Sequence, residues 1–296
     1  MTPLPNADAV GWLGGSALHS YLVVDVFTAR ALEGNQLGVF LDGRPFSAED
    51  MQRLAREMNF SETVFVLPPE GDGDARVRIF TPTQELPFAG HPVLGTAFAV
   101  GTALGTEAVV LETGAGRVPI ELERGDGQVV FGRMEQPIPT WELFDRPVEL
   151  LSALGLESSG LPIEVYRNGP VFVYVKLPDE RDVAGLQPDM ARLNDLGVGA
   201  DCFAGAGSRW KTRLFYPAGG VAEDPATGSA AGPLALHLAR HGEIAFGEEI
   251  EIRQGEEINR PSLLYAKATG SAERVESIQV GGSAQIVAHG QFRLSA

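Results

Sequence analysis

Two short segments of the sequence carry residue types suited to proton transfer and to anion binding. His91 precedes Pro92 and an almost wholly apolar run, and Asp224 precedes Pro225 and a run of small and apolar residues. Proline suits the first turn of a helix and aspartate suits an N-cap, so each segment predicts a helix that begins at its polar residue. A helix N-terminus carries unpaired N–H groups and the positive end of the helix dipole. Two such ends predict a site for an anion, for example a carboxylate.

The groups that would hold this anion stand beside the two polar residues. We expect the N–H groups of Gly228 and Ser229, with the Ser229 hydroxyl, to bind a carboxylate. Gly90 and His91 would form the corresponding surface opposite. The alternative is that Asp224 only caps its helix and that His91 only belongs to a turn, because aspartate caps are common.

Glu62 is a third candidate for proton transfer. It follows Phe60 and precedes the apolar run VFV at residues 64–66. Partial burial of a carboxyl group raises its pKa toward the range useful for general acid and base catalysis. The alternative is a solvated carboxylate at the end of a strand, since most glutamates are exposed.

The segments around these residues recur along the chain. RIFTP at 78–82 recurs as RLFYP at 213–217, and residues 91–97 recur as 224–230, at offsets of 135 and 133 residues. The shared order, followed each time by an apolar helix, indicates an internal duplication with its boundary near residues 135–139. We therefore predict an α+β fold in which two β-rich halves each enclose one helix, face each other across a cleft, and place His91 and Asp224 at equivalent points.

Charge and composition argue against several classes of function. The chain has 23 Lys and Arg against 39 Asp and Glu, and its net charge of −16 opposes binding to nucleic acid or to an anionic membrane. Its apolar runs are shorter than the roughly 20 residues that span a bilayer. Residues 1–20 lack the basic and apolar regions of a signal peptide, and we expect a loose extension there. The single cysteine, Cys202, fits a cytoplasmic protein and a buried apolar role.

The remaining motifs predict neither a metal nor a nucleotide cofactor. His237 and His241 are four residues apart near a predicted helix end, but the sequence offers no evident third ligand, and we expect a solvated helix terminus. The GAG segments at 114–116 and 205–207 lack the full dinucleotide and phosphate-loop fingerprints.

Six segments carry a pattern that is specific when taken together: VDVFT at 24–28, GN at 34–35, NFSET at 59–63, RIFTP at 78–82, ELPFAGHP at 85–92 and EDPATGSA at 223–230. They resemble the phenazine-biosynthesis PhzF-like isomerases, relatives of diaminopimelate epimerase. The resemblance extends from about Tyr21 to VGGSA at 280–284, nearly the whole chain. Gln36 replaces a usual proline and Val93 an often-found threonine, and we expect neither to contact the three candidate residues.

The resemblance implies a diaminopimelate epimerase-like fold with two pseudo-symmetric, β-barrel-like domains around central helices. The domains would span residues 18–134 and 135–284, with a final strand at 285–296 returning to the first. The family usually forms homodimers and uses no cofactor. Its shuttling glutamate, its histidine and its aspartate correspond to Glu62, His91 and Asp224, and its substrate contacts correspond to Ser61, Gly90, Gly228 and Ser229.

We therefore expect a cofactor-independent isomerase that moves a proton within a small carboxylate-bearing metabolite. Glu62 would take a proton from one carbon and return it to another, while His91 and Asp224 orient or protonate the substrate. Two alternatives stay open, a non-catalytic metabolite-binding protein and a hydroxyproline-type dehydratase or racemase. Epimerisation by two thiols is excluded because the chain has only Cys202.

Overall fold

The computed structural model describes residues 17–294, which form an α+β fold. The first part of the chain contains eight strands and two helices: β1 (Ala17–Val26), β2 (Asn35–Phe40), α1 (Ala48–Met58), β3 (Glu62–Leu67), β4 (Ala75–Phe80), β5 (Glu85–Leu86), α2 (Gly90–Leu104), β6 (Ala108–Thr113), β7 (Gly116–Gly125) and β8 (Gln128–Gln136). Residues 17–20, expected in a loose extension, instead begin β1, and the rest of that predicted extension lies outside the described residues.

The second part continues with ten strands and four helices: β9 (Thr140–Leu143), α3 (Pro147–Leu154), β10 (Glu164–Arg167), β11 (Val171–Lys176), α4 (Glu180–Gly185), α5 (Met190–Leu196), β12 (Gly199–Ala206), β13 (Arg209–Tyr216), β14 (Val221–Asp224), α6 (Gly228–Arg240), β15 (Glu249–Gln254), β16 (Ser262–Gly270), β17 (Val275–Gly282) and β18 (Ala284–Leu294). Among residues 17–294, no helix is long and apolar enough to cross a bilayer.

The strand pairings confirm the internal duplication. In the first part β1–β2, β3–β4, β4–β5, β6–β7 and β7–β8 are antiparallel, while β2–β3 and β4–β6 are parallel. The strands β10 to β17 repeat this pattern pair by pair. The two parts are joined by antiparallel pairing of β8 with β17 and of β1 with β18. The assignment of residues 18–134 and 135–284 to separate domains stays a prediction.

The helices α2 and α6 are enclosed by these strands, as predicted. α2 packs against β1, β2, β6, β7 and β8, and α6 packs against β15, β16 and β17. Small and apolar side chains cover almost the whole circumference of both helices, so neither has a polar face to turn toward water. The main core surrounds these two helices, and a smaller core lies beneath α3, α4 and α5.

The start of the second enclosed helix differs from the prediction. α6 begins at Gly228 with Thr227 as its N-cap, whereas Asp224 ends β14. Asp224 instead pairs with Leu214 in the sheet. Its carboxylate accepts from the side chains of Asn35, Ser61 and Thr227 and, among the described residues, from no backbone N–H group of a first helical turn. Asp224 is therefore not an N-cap and does not correspond in helix position to His91, which is the second residue of α2.

Candidate active site

The N-termini of α2 and α6 meet in the middle of the fold. A Cβ atom added to Gly90 would lie 2.5 Å from the Ser229 nitrogen and 2.6 Å from the Gly228 carbonyl carbon. Only glycine at position 90 allows the two helix ends to approach this closely. The structure thus brings together the two helix termini that the sequence predicted as an anion site.

A cleft opens at this junction and is lined by both repeats. It has about 530 Å³ of empty space, part of which is open to solvent. The predicted residues Glu62, Gly90, His91, Asp224, Gly228 and Ser229 all line it. Apolar side chains complete the wall, among them Leu86, Pro170, Phe172, Leu214 and Tyr216. The cleft therefore combines acid–base groups with surface suited to a carbon ring.

Asp224 is buried but has hydrogen-bond donors at both carboxylate oxygens. Its Oδ1 accepts from Ser61 Oγ and from Asn35 Nδ2, each at 3.0 Å, and its Oδ2 accepts from Thr227 Oγ1 at 2.5 Å. Burial raises the pKa of Asp224 to about 6, and the three donors oppose this rise because they stabilise the ionised form. Asp224 is therefore mainly ionised near neutral pH.

Glu62 stands in the opposite situation at the start of β3. Its Oε2 is buried and has no hydrogen-bond donor among the described residues. Burial, and then the charge of nearby Asp224, raises the pKa of Glu62 well above its usual range. The free protein therefore holds Glu62 as a neutral carboxyl group beside a carboxylate, an arrangement that separates the acid–base properties of two carboxyl groups in one site.

His91 lies beside Glu62 and Asn35. Its Nδ1 is 3.5 Å from Glu62 Oε2 and 3.3 Å from Asn35 Nδ2. Burial lowers the pKa of His91 to about 3, and a hydrogen bond with the Gln36 backbone opposes this change only in part. The ring is therefore neutral. The expectation that Gln36 does not contact the candidate residues is wrong for its backbone, which interacts with His91. Val93 is not among the residues that line the described cleft.

Sequence reasoning missed two amides that support this site. Asn35, the first residue of β2, contacts both His91 and Asp224, and its only signal was membership of the GN segment at 34–35. Gln254 donates to the Asp224 carbonyl oxygen at 2.8 Å and accepts from the Thr227 nitrogen at 3.0 Å. Nothing near Gln254 in the sequence indicates this role.

The pair His237 and His241 does have a third possible ligand, contrary to expectation. Glu164 Oε2 lies 3.1 Å from His237 Nδ1 and 3.1 Å from His241 Nε2. His237 is buried, so this helix end is not simply solvated. Arg240 Nη1 donates to the same oxygen at 2.6 Å and supplies the positive charge that the carboxylate needs. We interpret the cluster as an ion-pair network, because a metal ion there would be repelled by the guanidinium group.

Cys202 lies in β12, away from the cleft. It is fully buried, and burial raises the pKa of its thiol well above the usual value. The thiol therefore behaves as a small apolar group, as predicted.

Comparison with known proteins identifies similar chains over nearly the full length. The family model described as phenazine biosynthesis-like protein (PhzC-PhzF) matches residues 24–290. The trans-2,3-dihydro-3-hydroxyanthranilate isomerase of Pseudomonas aeruginosa is 56% identical over 94% of this chain and 100% of its own length. The enzyme of the same name from Pseudomonas chlororaphis is 54% identical over 90% of this chain and 96% of its own length.

Solved structures are similar in the same way. A phenazine biosynthesis protein of the PhzF family from Bacillus anthracis has a TM-score of 0.81 at 26% identity and covers 93% of this chain and 99% of its own. A hydroxyproline epimerase from Agrobacterium vitis, at 17% identity and a TM-score of 0.70 over 94% of this chain and 93% of its own, shares the fold.

Proposed function

We propose a substrate and a mechanism from one premise: the chain belongs to the family of phenazine biosynthesis-like proteins and is an isomerase. Its substrate is trans-2,3-dihydro-3-hydroxyanthranilate, the compound in the name of its relatives from Pseudomonas. Identity of 56% over the whole length of one relative supports this choice. The apolar wall formed by Leu86, Phe172 and Tyr216 suits the carbon ring, and the helix termini suit the carboxylate.

The substrate carboxylate binds at the N-terminus of α6. The Gly228 and Ser229 N–H groups belong to the first turn of this 13-residue helix, where N–H groups lack partners within the helix. Ser229 lines the cleft and contributes its hydroxyl group. Gly90 forms the facing surface. Ser61 was predicted as a substrate contact, but it is not among the residues that line the cleft, and its role is to orient Asp224 through a hydrogen bond.

Glu62 carries the proton between two carbons of the ring. Its carboxylate takes a proton from one carbon, the electron pair shifts through the adjacent double bonds, and the carboxyl group gives the proton to the second carbon. Glu62 ends as it began, and the substrate neither gains nor loses electrons overall, so the step needs no redox cofactor. A buried carboxylate without donors is a strong base once it forms, which supports this role.

The observation that carries the proposal is the contrast between Glu62, which has no donor on its buried oxygen, and Asp224, which has three. The test is to incubate the protein with trans-2,3-dihydro-3-hydroxyanthranilate in deuterium oxide, after removing metals by chelation, and to follow the ring protons by NMR. We expect isomerisation at the same rate with and without chelation in the same solvent. Deuterium should appear at the receiving carbon to the extent that the Glu62 carboxyl group exchanges its proton with solvent. No conversion of this compound would contradict the proposed substrate.

A homodimer in the cytoplasm is proposed from the resemblance to the family. Sedimentation of the full chain at micromolar concentration would contradict the dimer if it gave a mass near 31.5 kDa.

A further inference from the structure

One side-chain nitrogen, Asn35 Nδ2, meets three acceptor atoms at the centre of the site. It lies 2.8 Å from the Ala226 carbonyl oxygen, 3.0 Å from Asp224 Oδ1 and 3.3 Å from His91 Nδ1. Asn35 is 1% exposed, so water does not compete for these contacts. The amide cannot be turned around, because its oxygen would then face a carbonyl oxygen and a carboxylate oxygen.

The orientation of this amide determines where the proton of His91 lies. The amide nitrogen shares its two hydrogens among these three acceptors, and its contact with His91 Nδ1 is the longest of the three. An amide nitrogen does not accept hydrogen bonds, so a hydrogen on Nδ1 directed at it would find no acceptor. A neutral imidazole carries one hydrogen, so that hydrogen is on Nε2. His91 Nε2 has no partner among the described residues, and His91 lines the cleft. The ring therefore keeps an N–H donor free for a bound molecule, while its unprotonated Nδ1 faces Glu62.

The backbone around Asn35 is fixed by the other half of the molecule. Arg260 donates to the Gly34 carbonyl oxygen at 2.8 Å and to the Glu33 carbonyl oxygen at 2.6 Å. Gly34 has a φ of +70° and donates its N–H to the Pro261 carbonyl oxygen at 3.1 Å. This turn places the first residue of β2 between α2 and the loop that precedes α6.

We propose that Asn35 is a positioning residue: its amide holds Asp224 as a carboxylate and holds His91 in the tautomer that carries its proton on Nε2 and offers it to the substrate. The inference rests on the proposed function for its catalytic consequence. Its structural part, the tautomer, stands independently of which reaction the protein catalyses. Asn35 acts through Asp224 and His91 and does not itself touch the reacting atoms.

The first test is the ¹⁵N NMR spectrum of the free, full-length protein labelled at its five histidines. The His91 signals are assigned by their absence in His91→Gln. We expect an unprotonated Nδ1 and a protonated Nε2 at neutral pH. A proton on Nδ1, or a doubly protonated ring, would overturn the inference whatever the protein catalyses.

The second test compares Asn35→Ala and Asn35→Asp with Asn168→Ala, which removes another buried amide that does not contact Glu62, His91 or Asp224. Asn35→Ala should lower kcat about 10²-fold with little change in KM. It should also move the low-pH limb of kcat/KM to higher pH, because Asp224 loses a donor to its ionised form. Asn35→Asp should move the limb further, because it adds a negative charge beside Asp224.

The control separates positioning from loss of stability. Asn168→Ala should lower the melting temperature and leave the pH limb in place. An unmoved limb in folded Asn35→Ala or Asn35→Asp would overturn the inference. Failure of the proposed function appears differently, as full turnover by Glu62→Gln, and leaves the tautomer measurement unaffected.

Discussion

Glu62 Oε2 and His91 Nδ1 lie 3.5 Å apart, and both groups are electrically neutral in the free protein. Burial raises the pKa of Glu62 and lowers the pKa of His91, so the pair does not form a salt bridge despite its composition. The negative charge of the site resides instead on Asp224, where three donors receive it. This distribution of charge and protons underlies the first two predictions.

Replacing Glu62 by glutamine should remove the proton carrier while keeping the shape of the side chain. We expect kcat to fall by at least about 10²-fold with substrate binding intact, because a positioned acid or base contributes about 10²- to 10⁴-fold. Steady-state kinetics and calorimetric titration measure the two effects separately. Glu57→Gln, at an exposed position of α1, is the control. Turnover of Glu62→Gln close to that of the control would favour the alternative of a binding protein.

The rate should depend on pH in a defined direction. The proposed step begins with ionised Glu62, whose pKa is raised, and Asp224 takes up a proton as the pH falls through about 6. We therefore expect kcat/KM to increase as the pH rises above about 6, since this parameter reports the free enzyme. A profile that decreases over this range would mean that Glu62 enters the reaction as an acid.

The ion-pair network at the end of α6 should be important for stability. Glu164→Gln leaves Arg240 without its counter-charge at a site where Glu164 is 8% exposed, and loss of one partner of a buried pair costs about 3–5 kcal/mol. The control is Glu142→Gln, because the pair of Glu142 with Arg167 is about half exposed and is worth about 0–1 kcal/mol. Denaturant unfolding measures both changes, and equal effects would contradict our interpretation of the network.

A second buried carboxyl group should make stability depend on pH. Burial raises the pKa of Asp201 from 3.8 to about 7, although Thr212 donates to it. Between these values the folded protein keeps a proton that the unfolded chain loses, so the free energy of unfolding decreases as the pH rises and levels off above about 7. From pH 5 to pH 7 this group alone accounts for about 2 kcal/mol.

Asp201→Asn keeps an acceptor for Thr212 and removes the titration. The variant should therefore show a smaller decrease in unfolding free energy between pH 5 and pH 7 than the wild type. The comparison uses the change of unfolding free energy with pH. The absolute stability is not compared, because the amide group introduced at position 201 also requires hydrogen-bond partners and can change it independently of pH. Identical slopes would show that Asp201 is already ionised in the folded protein.

The sequence predicted those features that local patterns determine. The apolar circumference of α2 and α6 indicated enclosure, and the recurring segments indicated duplication, because both signals lie within a few consecutive residues. It failed where distant residues decide the outcome. Glu164 is 73 residues from His237 in sequence, and Asn35 is 189 residues from Asp224. Neither contact can therefore be predicted from a short-range sequence pattern. The start of α6 was misplaced because Asp224 and Pro225 fit the local pattern of a helix start. The side chain of Asp224 is bound instead by the distant Asn35 and Ser61.

The antiparallel pairing of β1 with β18 places Ala17 opposite Leu294. Paired residues on neighbouring strands lie only about 5 Å apart, so a short peptide is long enough to connect these two positions. The order of segments along the chain can therefore be changed without changing the fold. A circular permutant that connects Leu294 to Ala17 and begins at the exposed turn at Asp126 and Gly127 would keep every group of the cleft in its place.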